Sequence, residues 1–423
     1  MVKLGVFADT HVGRSIPNVI SEHRRQAFRH AFSQAVNIFI KERVEYVIHA
    51  GDLFERRSMT PSDSLFVKEE LQRLVDSLGE KVKIILVRGN HDGTPENNAL
   101  NYVEHPLARY LKIVGEKILK GDPESFEEGD FAIIGFGYTP YVSTKLAELK
   151  DILKGSFEKL GARHKIFLAH MFVEGQEIPP NVPEYQIATI SLMKDLGATL
   201  IIAGHYHKYL PLRERDGVFL LCPGATEAID LSDEGPFGVC ILKLNDKVEC
   251  NFVPLKPLHK IKSETIDSKG AAQKPNWFVE KAIEAANKFS KEIQSEEIEG
   301  IFRIALRGVV DGSRFDLEAD IEAQMQEIRR NNPKLLHVEI DNGLSELSSG
   351  VISVPEHMSR DEFLREVFSV LGEKGLAQAL SLAEEVRMAL EEKASSQTGL
   401  LKESDRRPFI EKWLKILEDL DVC

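Results

Sequence analysis

Short apolar segments alternate with longer segments of helical periodicity along the first part of the chain. Residues 2–8 are almost continuously apolar, which is typical of a strand buried on both faces. Between residues 23 and 43, apolar side chains recur every three or four positions and predict an amphipathic helix. Strand-like segments follow at residues 44–50 and 82–87, separated by a helical stripe that begins at Thr60. This alternation predicts a layered α/β core.

More strand-like segments follow, and they are sufficient for a second sheet. They are residues 131–136, 165–169, 199–203, 218–221 and 237–244. Between the two groups of strands, residues 97–111 have the pattern of a helix. We therefore assign residues 1–258 to one domain.

The pattern changes after residue 258. Residues 259–342 combine helical segments with alternating segments and predict a small α+β capping domain. Residues 343–358 are rich in Ser, Gly and Pro and predict a linker. Residues 359–423 are helical, and their last helix has a wide apolar face that includes Phe409 and Trp413. Such a face packs on its own domain or binds another chain as a helix in a groove.

Composition indicates a globular protein of two or three domains. The chain has 423 residues, 29% of them charged, and a formal net charge of −13. This acidic balance disfavours a nucleic-acid partner unless positive charge is local or metal ions neutralise phosphates. With no run of roughly eighteen apolar residues and no secretory-signal pattern, we expect no membrane span and a cytoplasmic, nucleoid-associated location. The scattered cysteines fit a reducing compartment.

Polar side chains follow five of the predicted strands. In Asp9-x-His11 and His205-x-His207 the spacing puts both side chains on one side of an extended segment. Asn90 and His91 are adjacent, so one can hold a metal while the other faces a substrate. Ligands of α/β sheets gather beyond the carboxyl ends of strands, where all of these residues fall. The candidates for metal binding are Asp9, His11, Asp52, Asn90, His170, His205 and His207.

This mixture of donors favours a pair of divalent metal ions. Carboxylate, imidazole and amide oxygens suit Mn²⁺, Fe²⁺ or Zn²⁺, and the lack of thiolates disfavours structural zinc. Seven candidates exceed the needs of one tetrahedral ion and fit two octahedral ions that share a ligand. Asp52 is the best bridge, because its two oxygens can each bind an ion. Two ions about 3.5–4 Å apart clamp the attacking and leaving oxygens of a phosphoryl displacement.

The order of these motifs resembles the calcineurin-like metallophosphoesterase superfamily, and within it the MRE-eleven/SbcD family of DNA double-strand-break repair nucleases. The motifs that carry the resemblance are Asp9-Thr-His-Val-Gly13, Gly51-Asp-Leu-Phe54 and Gly89-Asn-His-Asp92. The resemblance is strong up to about residue 225. Beyond that residue it extends only to the order of the domains. It implies a two-sheet sandwich flanked by helices, followed by a capping (DNA-binding) domain and a helical tail.

The resemblance also implies roles for individual residues. One metal ion would be held by Asp9, His11, Asp52 and His207, and the other by Asp52, Asn90, His170 and His205. His91 would face the scissile phosphate as general acid or stabilise the transition state. Many family members carry histidine three residues after the Gly-Asp aspartate, whereas this chain has Glu55 there. The role of that histidine in exonuclease action is therefore in question here.

By the same resemblance, we expect a DNA nuclease that depends on two Mn²⁺ or other divalent transition metal ions. It would have 3'-5' exonuclease and single-strand endonuclease activity and would process DNA ends in double-strand-break repair. Arg14, Arg56, Arg57 and Lys208 follow the motifs and could bind phosphates flanking the scissile bond. The partner implied for residues 359–423 is the SMC-like ATPase RAD-fifty/SbcC.

A homodimer is also implied, through helices that present Leu65, Phe66, Leu100, Val103 and Leu107. Two alternatives to the nuclease remain open. The same metal centre would serve a phosphomonoesterase or a cyclic-nucleotide phosphodiesterase. The chain could also be a DNA-end tethering scaffold with weak catalysis, an interpretation that only Glu55 supports.

Overall fold

Strands and helices alternate through most of the chain in the computed structural model, which describes residues 2–122, 124–347, 360–395 and 403–418. The strands are β1 (Val2–Phe7), β2 (Tyr46–His49), β3 (Lys83–Val87), β4 (Gly93–Thr94), β5 (Asn97–Asn98), β6 (Leu111–Val114), β7 (Ser125–Glu128), β8 (Phe131–Phe136), β9 (His164–His170), β10 (Phe172–Val173), β11 (Ile187–Ala188), β12 (Leu200–Gly204), β13 (Leu210–Arg215), β14 (Val218–Cys222), β15 (Gly238–Leu244), β16 (Val248–Pro254), β17 (His259–Gln273), β18 (Glu299–Val310) and β19 (Leu335–Glu346). The helices are α1 (Ser21–Glu42), α2 (Pro61–Leu78), α3 (Asn101–Leu107), α4 (Val142–Glu148), α5 (Lys150–Lys159), α6 (Ile190–Leu196), α7 (Pro275–Ser295), α8 (Arg314–Asn331), α9 (Arg360–Phe368), α10 (Gly372–Ser395) and α11 (Glu403–Glu418).

Two six-stranded sheets form the core within the described residues. The first has the order β16-β15-β1-β2-β3-β6, and the second has the order β13-β14-β12-β9-β8-β7. In the first sheet β1, β2, β3 and β6 are parallel, and in the second β14, β12, β9 and β8 are parallel. The parallel strands of each sheet therefore end at a common edge, where loops can bring side chains together.

The sheets pack face to face, and helices cover both outer faces. Leu4 and Val6 of β1 lie in one apolar layer with Leu168 of β9 and Ile202 of β12, all fully buried. A second layer joins the first sheet to α1, α2 and α3, and a third joins the second sheet to α4, α5 and α6. This is the predicted sandwich of two sheets flanked by helices.

One helix start agrees with the sequence pattern, and the bounds of another helix differ from it. Thr60 caps α2 as predicted, since its hydroxyl oxygen accepts a hydrogen bond from the Asp63 amide at 3.1 Å. The helix predicted at residues 97–111 is wrong at both ends, because Asn97–Asn98 form β5, α3 begins at Asn101 and stops at Leu107, and Leu111 begins β6. Pairing of Leu111 with Ile84 of β3 holds that segment extended.

The surface predicted to bind a second copy is mostly inside the core. Leu100, Val103 and Leu107 are at most 2% exposed, because they belong to the apolar layer under α2 and α3. The prediction that these three side chains are presented to a partner is therefore wrong. Phe66 is partly buried and packs on Phe32, with 5.9 Å between ring centroids, whereas Leu65 is 55% exposed.

A three-stranded parallel sheet follows the sandwich, in the order β17-β18-β19. Helices α7 and α8 cover one face, where Phe302, Ile304 and Leu306 are fully buried, as their alternation predicts. The opposite face of β18 buries Ile301 against Ile20 and Leu231 of the sandwich. The long strand β17 was not predicted, because its side chains are mostly polar and incompletely buried.

The chain divides into two compact units, Met1–Glu346 and Leu347–Cys423. Of the predicted linker, residues 343–346 belong to β19, and residues 348–358 lie outside the described residues. In the second unit α10 and α11 pack together, and Trp413 meets Phe368 with 5.5 Å between ring centroids. Of the described helices, none is both long and apolar enough to cross a membrane.

Candidate metal centre

The carboxyl ends of strands from both sheets meet at one place and bring the predicted ligands together. Backbone hydrogen bonds join the loops after β1 and β2, from the Asp9 amide to the Gly51 carbonyl at 3.0 Å and from the His11 amide to the Asp52 carbonyl at 3.1 Å. Across the two sheets, Nδ1 of His170 donates to the Ala50 carbonyl at 2.9 Å. The second sheet thus delivers His170 to the loops of the first.

Several candidate ligands have a strained backbone. Asp9, His11, Asp52 and His205 all have positive φ, at 50°, 39°, 54° and 79°. This left-handed region is uncommon for residues with a side chain and costs free energy. Its repetition at four candidate ligands indicates that the fold sustains the strain to aim these side chains at a common point.

Two glycines make the close approach possible. At Gly51, where φ is +93°, a Cβ atom would fall on the His170 ring, and at Gly89 it would fall on the Asp52 carboxylate. Each glycine precedes a candidate ligand and leaves room for one from another loop.

The candidate ligands form three overlapping groups whose donor atoms lie within 4.8 Å of one another. The groups are Asp9, His11 and His207; Asp52, His170 and His205; and His11, Asp52 and His91. Each of the first two groups contains three of the four residues of one predicted metal set, and the third group shares a residue with each of them. Asn90 also lies in this cluster, since its Oδ1 is 3.1 Å from Nε2 of His170.

Asp52 lies between the two groups. Its Oδ2 atom is 3.2 Å from Nε2 of His170 and 3.7 Å from Nε2 of His11. The Nε2 atom of His11 is buried and has no hydrogen-bond partner among the described residues. A buried imidazole nitrogen facing a carboxylate oxygen at that distance is a suitable donor for a divalent ion. The residues present therefore fit the metal ions that the fold implies.

The cluster perturbs the pKa values of its members. Burial raises the pKa of Asp9 to about 6. Burial also opposes ionisation of Asp52, but the neighbouring His170 outweighs it and holds the pKa of Asp52 well below its usual range. Burial lowers the pKa values of His205 and His207 to about 3. These two imidazoles are consequently neutral, the form that binds metals.

His91 is oriented by the loop after β2. Its Nδ1 atom donates a hydrogen bond to the Glu55 carbonyl at 2.8 Å, and its backbone amide donates to Oδ1 of Asp52, also at 2.8 Å. The His91 ring contacts that of His11 edge-on, with 4.7 Å between centroids. Because Nδ1 is committed to the carbonyl, Nε2 is the nitrogen available for exchange of a proton with a ligand.

Glu55, the departure from the family pattern, is part of the cluster. Its Oε2 atom accepts a hydrogen bond from Nδ1 of His11 at 3.0 Å, and its Oε1 atom accepts one from Arg14 at 2.8 Å. Burial opposes the charge of Glu55, but these two partners outweigh it and lower the pKa of Glu55. A carboxylate on the second nitrogen of a metal-binding histidine fixes the orientation of the ring.

Asp92 is a structural member of the cluster to which the sequence interpretation gave no role. Its carboxylate accepts hydrogen bonds from the amides of Gly89 at 2.9 Å, Phe54 at 3.0 Å and Leu53 at 3.3 Å. It therefore ties the loop that carries Asp52 to the loop that carries Asn90. Its place at the end of the Gly-Asn-His-Asp motif was a signal for this role.

The four cations predicted to bind substrate differ in their surroundings. Arg14 is mostly buried and also donates to the Ile229 carbonyl at 2.6 Å. Lys208 is exposed and lies 3.6 Å from Oε2 of Glu177. Arg56 and Arg57 are exposed, and neither forms an ion pair with any residue that the structure describes. Arg56, Arg57 and Lys208 are therefore exposed, whereas Arg14 is largely enclosed.

Comparison with known families agrees with this geometry. Residues 2–209 match the family described as calcineurin-like phosphoesterase. This part of the chain is therefore a calcineurin-like phosphoesterase domain, with the sandwich and the ligand-bearing loops that its motifs predict.

Individual relatives indicate a narrower group within this family. The DNA double-strand break repair protein Mre11 of Saccharolobus solfataricus is 28% identical over 229 residues, which are 54% of this chain and 55% of that protein. The Mre11 protein of Sulfurisphaera tokodaii is 29% identical over 202 residues, 48% of each chain. The predicted resemblance to the MRE-eleven/SbcD family is thus confirmed. The chain spans about half the length of the curated relatives that it matches.

Proposed function

We propose that the chain is a two-metal phosphodiesterase that cuts DNA ends and single-stranded DNA in double-strand-break repair. The observation that carries this proposal is the overlap of the three ligand groups through His11 and Asp52. The choice of DNA as the substrate is supported by the relatives, which are named as DNA double-strand break repair proteins.

Asp9, His11, Asp52 and His207 would hold one divalent ion, and Asp52, Asn90, His170 and His205 the other, with Mn²⁺ as the favoured metal. The position of the Asp52 carboxylate between His11 and His170 supports the bridging role. Two such ions would supply hydroxide at neutral pH and neutralise charge on the phosphoryl oxygens.

His91 would act on the leaving oxygen. The Glu55 carbonyl holds one proton on Nδ1, so a ring that also carries a proton on Nε2 would deliver that second proton to the departing oxygen or donate it in a hydrogen bond to the charged transition state. The hydrogen bond from the His91 backbone amide to Oδ1 of Asp52 joins the backbone at His91 to the proposed bridge.

Arg56, Arg57 and Lys208 would bind phosphates next to the scissile bond. The acidic net charge of −13 makes such local cations necessary if a polyanion is the substrate. Arg14 would contribute indirectly, because its guanidinium is bonded to Glu55 and to the Ile229 carbonyl. We also propose that the protein acts at the nucleoid in the cytoplasm.

The second unit would bind an SMC-like ATPase of the RAD-fifty/SbcC type. In α11, Ile410 and Leu414 are 57% and 51% exposed. Such exposure is expected of an apolar helix face that binds a partner. We further propose a homodimer centred on Leu65 of α2, the exposed member of the predicted set, together with Tyr102 of α3, which is 60% exposed.

The decisive experiment is a nuclease assay on labelled single-stranded DNA and duplex ends with Mn²⁺, Mg²⁺ or Zn²⁺. Parallel reactions contain a chromogenic phosphomonoester and a cyclic nucleotide. Cutting of DNA that is strongest in Mn²⁺ and lost in Asp52→Asn supports the proposal. Turnover of the small esters without cutting of DNA refutes it in favour of a phosphomonoesterase or cyclic-nucleotide phosphodiesterase. DNA binding without turnover of any substrate would indicate a tethering scaffold.

A further inference from the structure

A second group of metal-binding side chains lies where the three-stranded sheet meets the sandwich. His23 is in the first turn of α1, while His259 and Glu299 are the first residues of β17 and β18. One donor atom from each lies within 4.8 Å of the other two. This group shares no residue with the cluster around Asp52, and the sequence gave no reason to pair these histidines.

His259 is the buried member of the group, and its imidazole ring is not fully hydrogen-bonded. It is 3% exposed, and within the described parts of the chain neither of its ring nitrogens makes a hydrogen bond of good geometry. Its Nδ1 atom is 3.3 Å from Oε2 of Glu299, close enough for an ion pair but without hydrogen-bond geometry. Burial of an imidazole ring without well-formed hydrogen bonds costs free energy. A cation held between His259, Glu299 and His23 would satisfy it.

The geometry of the three residues suits a small ion with tetrahedral coordination. The rings of His23 and His259 lie edge to face, with 5.5 Å between centroids. Donors bound to one zinc ion are separated by about 3.4 Å, so small side-chain rotations would bring these three into place. Strand pairing already sets His259 beside Glu299, since the two are register partners in β17 and β18.

The electrostatic setting is compatible with a bound cation. Burial lowers the pKa of His259 despite the nearby Glu299, which keeps the imidazole in its neutral, metal-binding form. Arg24 is a nearby positive charge, but its Nη1 atom lies 3.5 Å from Oε1 of Glu227, which offsets that charge. Glu299 is 47% exposed along its side chain, so an ion can reach the site from solvent.

We propose that His23, His259 and Glu299 form a separate zinc-type metal site that fastens the β17-β18-β19 sheet to the sandwich. The site lies beside the apolar contact of Ile20, Leu231 and Ile301, which joins the same two parts. Two imidazoles and a carboxylate are a common donor set for zinc, with water as the fourth ligand. Because the ligands come from distant parts of the chain, a bound ion would restrict the position of the three-stranded sheet.

The test is the zinc content of the full-length protein after dialysis against buffered Zn²⁺, measured by inductively coupled plasma mass spectrometry. His23→Ala and Glu299→Gln change the half-buried and the exposed ligand and leave buried His259 in place. His30→Ala is the matched control, because His30 is an exposed histidine of the same helix. We expect each ligand variant to lose about one zinc ion per chain, and the control to retain it.

Thermal unfolding provides a second readout that is independent of catalysis. Zn²⁺ should raise the Tm of an Asp52→Asn protein, in which the other centre is disabled, and should raise it less when His23→Ala is added. Equal zinc content in the wild type and both ligand variants would overturn the proposal. So would a loss of zinc in His30→Ala as large as in His23→Ala, since that indicates binding to surface histidines in general.

Discussion

Oε2 of Glu55 lies 3.0 Å from Nδ1 of His11, and this bond leaves Nε2 of His11 directed toward Asp52. The pairing shows how the chain accommodates a carboxylate at the position where the family resemblance led us to expect a histidine. Glu55 would therefore act on the proposed metal centre through His11, as a residue that positions a proposed ligand.

Replacement of Glu55 should therefore weaken metal binding. We expect Glu55→Ala to lower the affinity for Mn²⁺ by roughly 10–100-fold, because His11 loses the acceptor that orients its ring. Glu55→Gln keeps an oxygen acceptor and should recover much of the affinity. Isothermal titration with Mn²⁺ measures both, with exposed Glu69→Gln of α2 as control. An unchanged affinity for Mn²⁺ in Glu55→Ala would show that Glu55 does not position His11 for metal binding.

His91 should affect the rate without affecting binding. We expect His91→Asn to bind Mn²⁺ and DNA nearly as well as the wild type while cutting falls by roughly 10²-fold or more, the scale of a lost general acid. Single-turnover rates with saturating metal separate the two effects. A wild-type rate would exclude His91 from the reaction, and a loss of bound metal would show that His91 is instead a ligand.

Asp92 should matter for folding stability. Asp92→Ala leaves three amides without their carboxylate acceptor, at Leu53, Phe54 and Gly89. We expect a loss of about 1–3 kcal/mol in the free energy of unfolding, measured by urea denaturation of the metal-free protein. Asp76→Ala changes an exposed aspartate of α2 and should stay near the wild-type value. Comparable losses in both variants would contradict this assignment.

The proposed dimer should depend on exposed residues only. Leu65→Glu places a charge on the exposed face of α2, and we expect it to convert a dimer into a monomer of unchanged Tm. Light scattering gives the mass. Val19→Glu serves as control, because Val19 is 75% exposed and lies away from α2 in the chain. A monomeric mass for the wild-type protein at high concentration would refute the proposed dimer.

Removal of the second unit should separate catalysis from partner binding. We expect a chain without residues 359–423 to cut short DNA at the wild-type rate but to lose association with the ATPase in co-purification. A finer test is Leu414→Glu on α11, compared with Met388→Glu on α10, since both side chains are exposed. Retention of the ATPase by the shortened chain would place the interface elsewhere.

The sequence alone determined the sandwich and the ligand loops. Continuous apolar segments such as residues 131–136 specify buried strands, and polar residues directly after them must lie at the sheet edge. The positions of Asp9, Asp52 and His170 follow from this local rule. The sequence could not indicate β17, because a polar strand without strong alternation becomes a strand only when β18 pairs with it.

Only the tertiary structure decided which side chains share a contact. Leu65 and Leu100 look alike as apolar residues of predicted helices. In the structure Leu100 is buried in the apolar layer that α2 and α3 share, whereas Leu65 is exposed. Glu55 meets His11, and His259 meets His23, because loops and elements distant in the chain pack together. Periodicity reports how one element faces the core, whereas these contacts depend on where several elements end relative to one another.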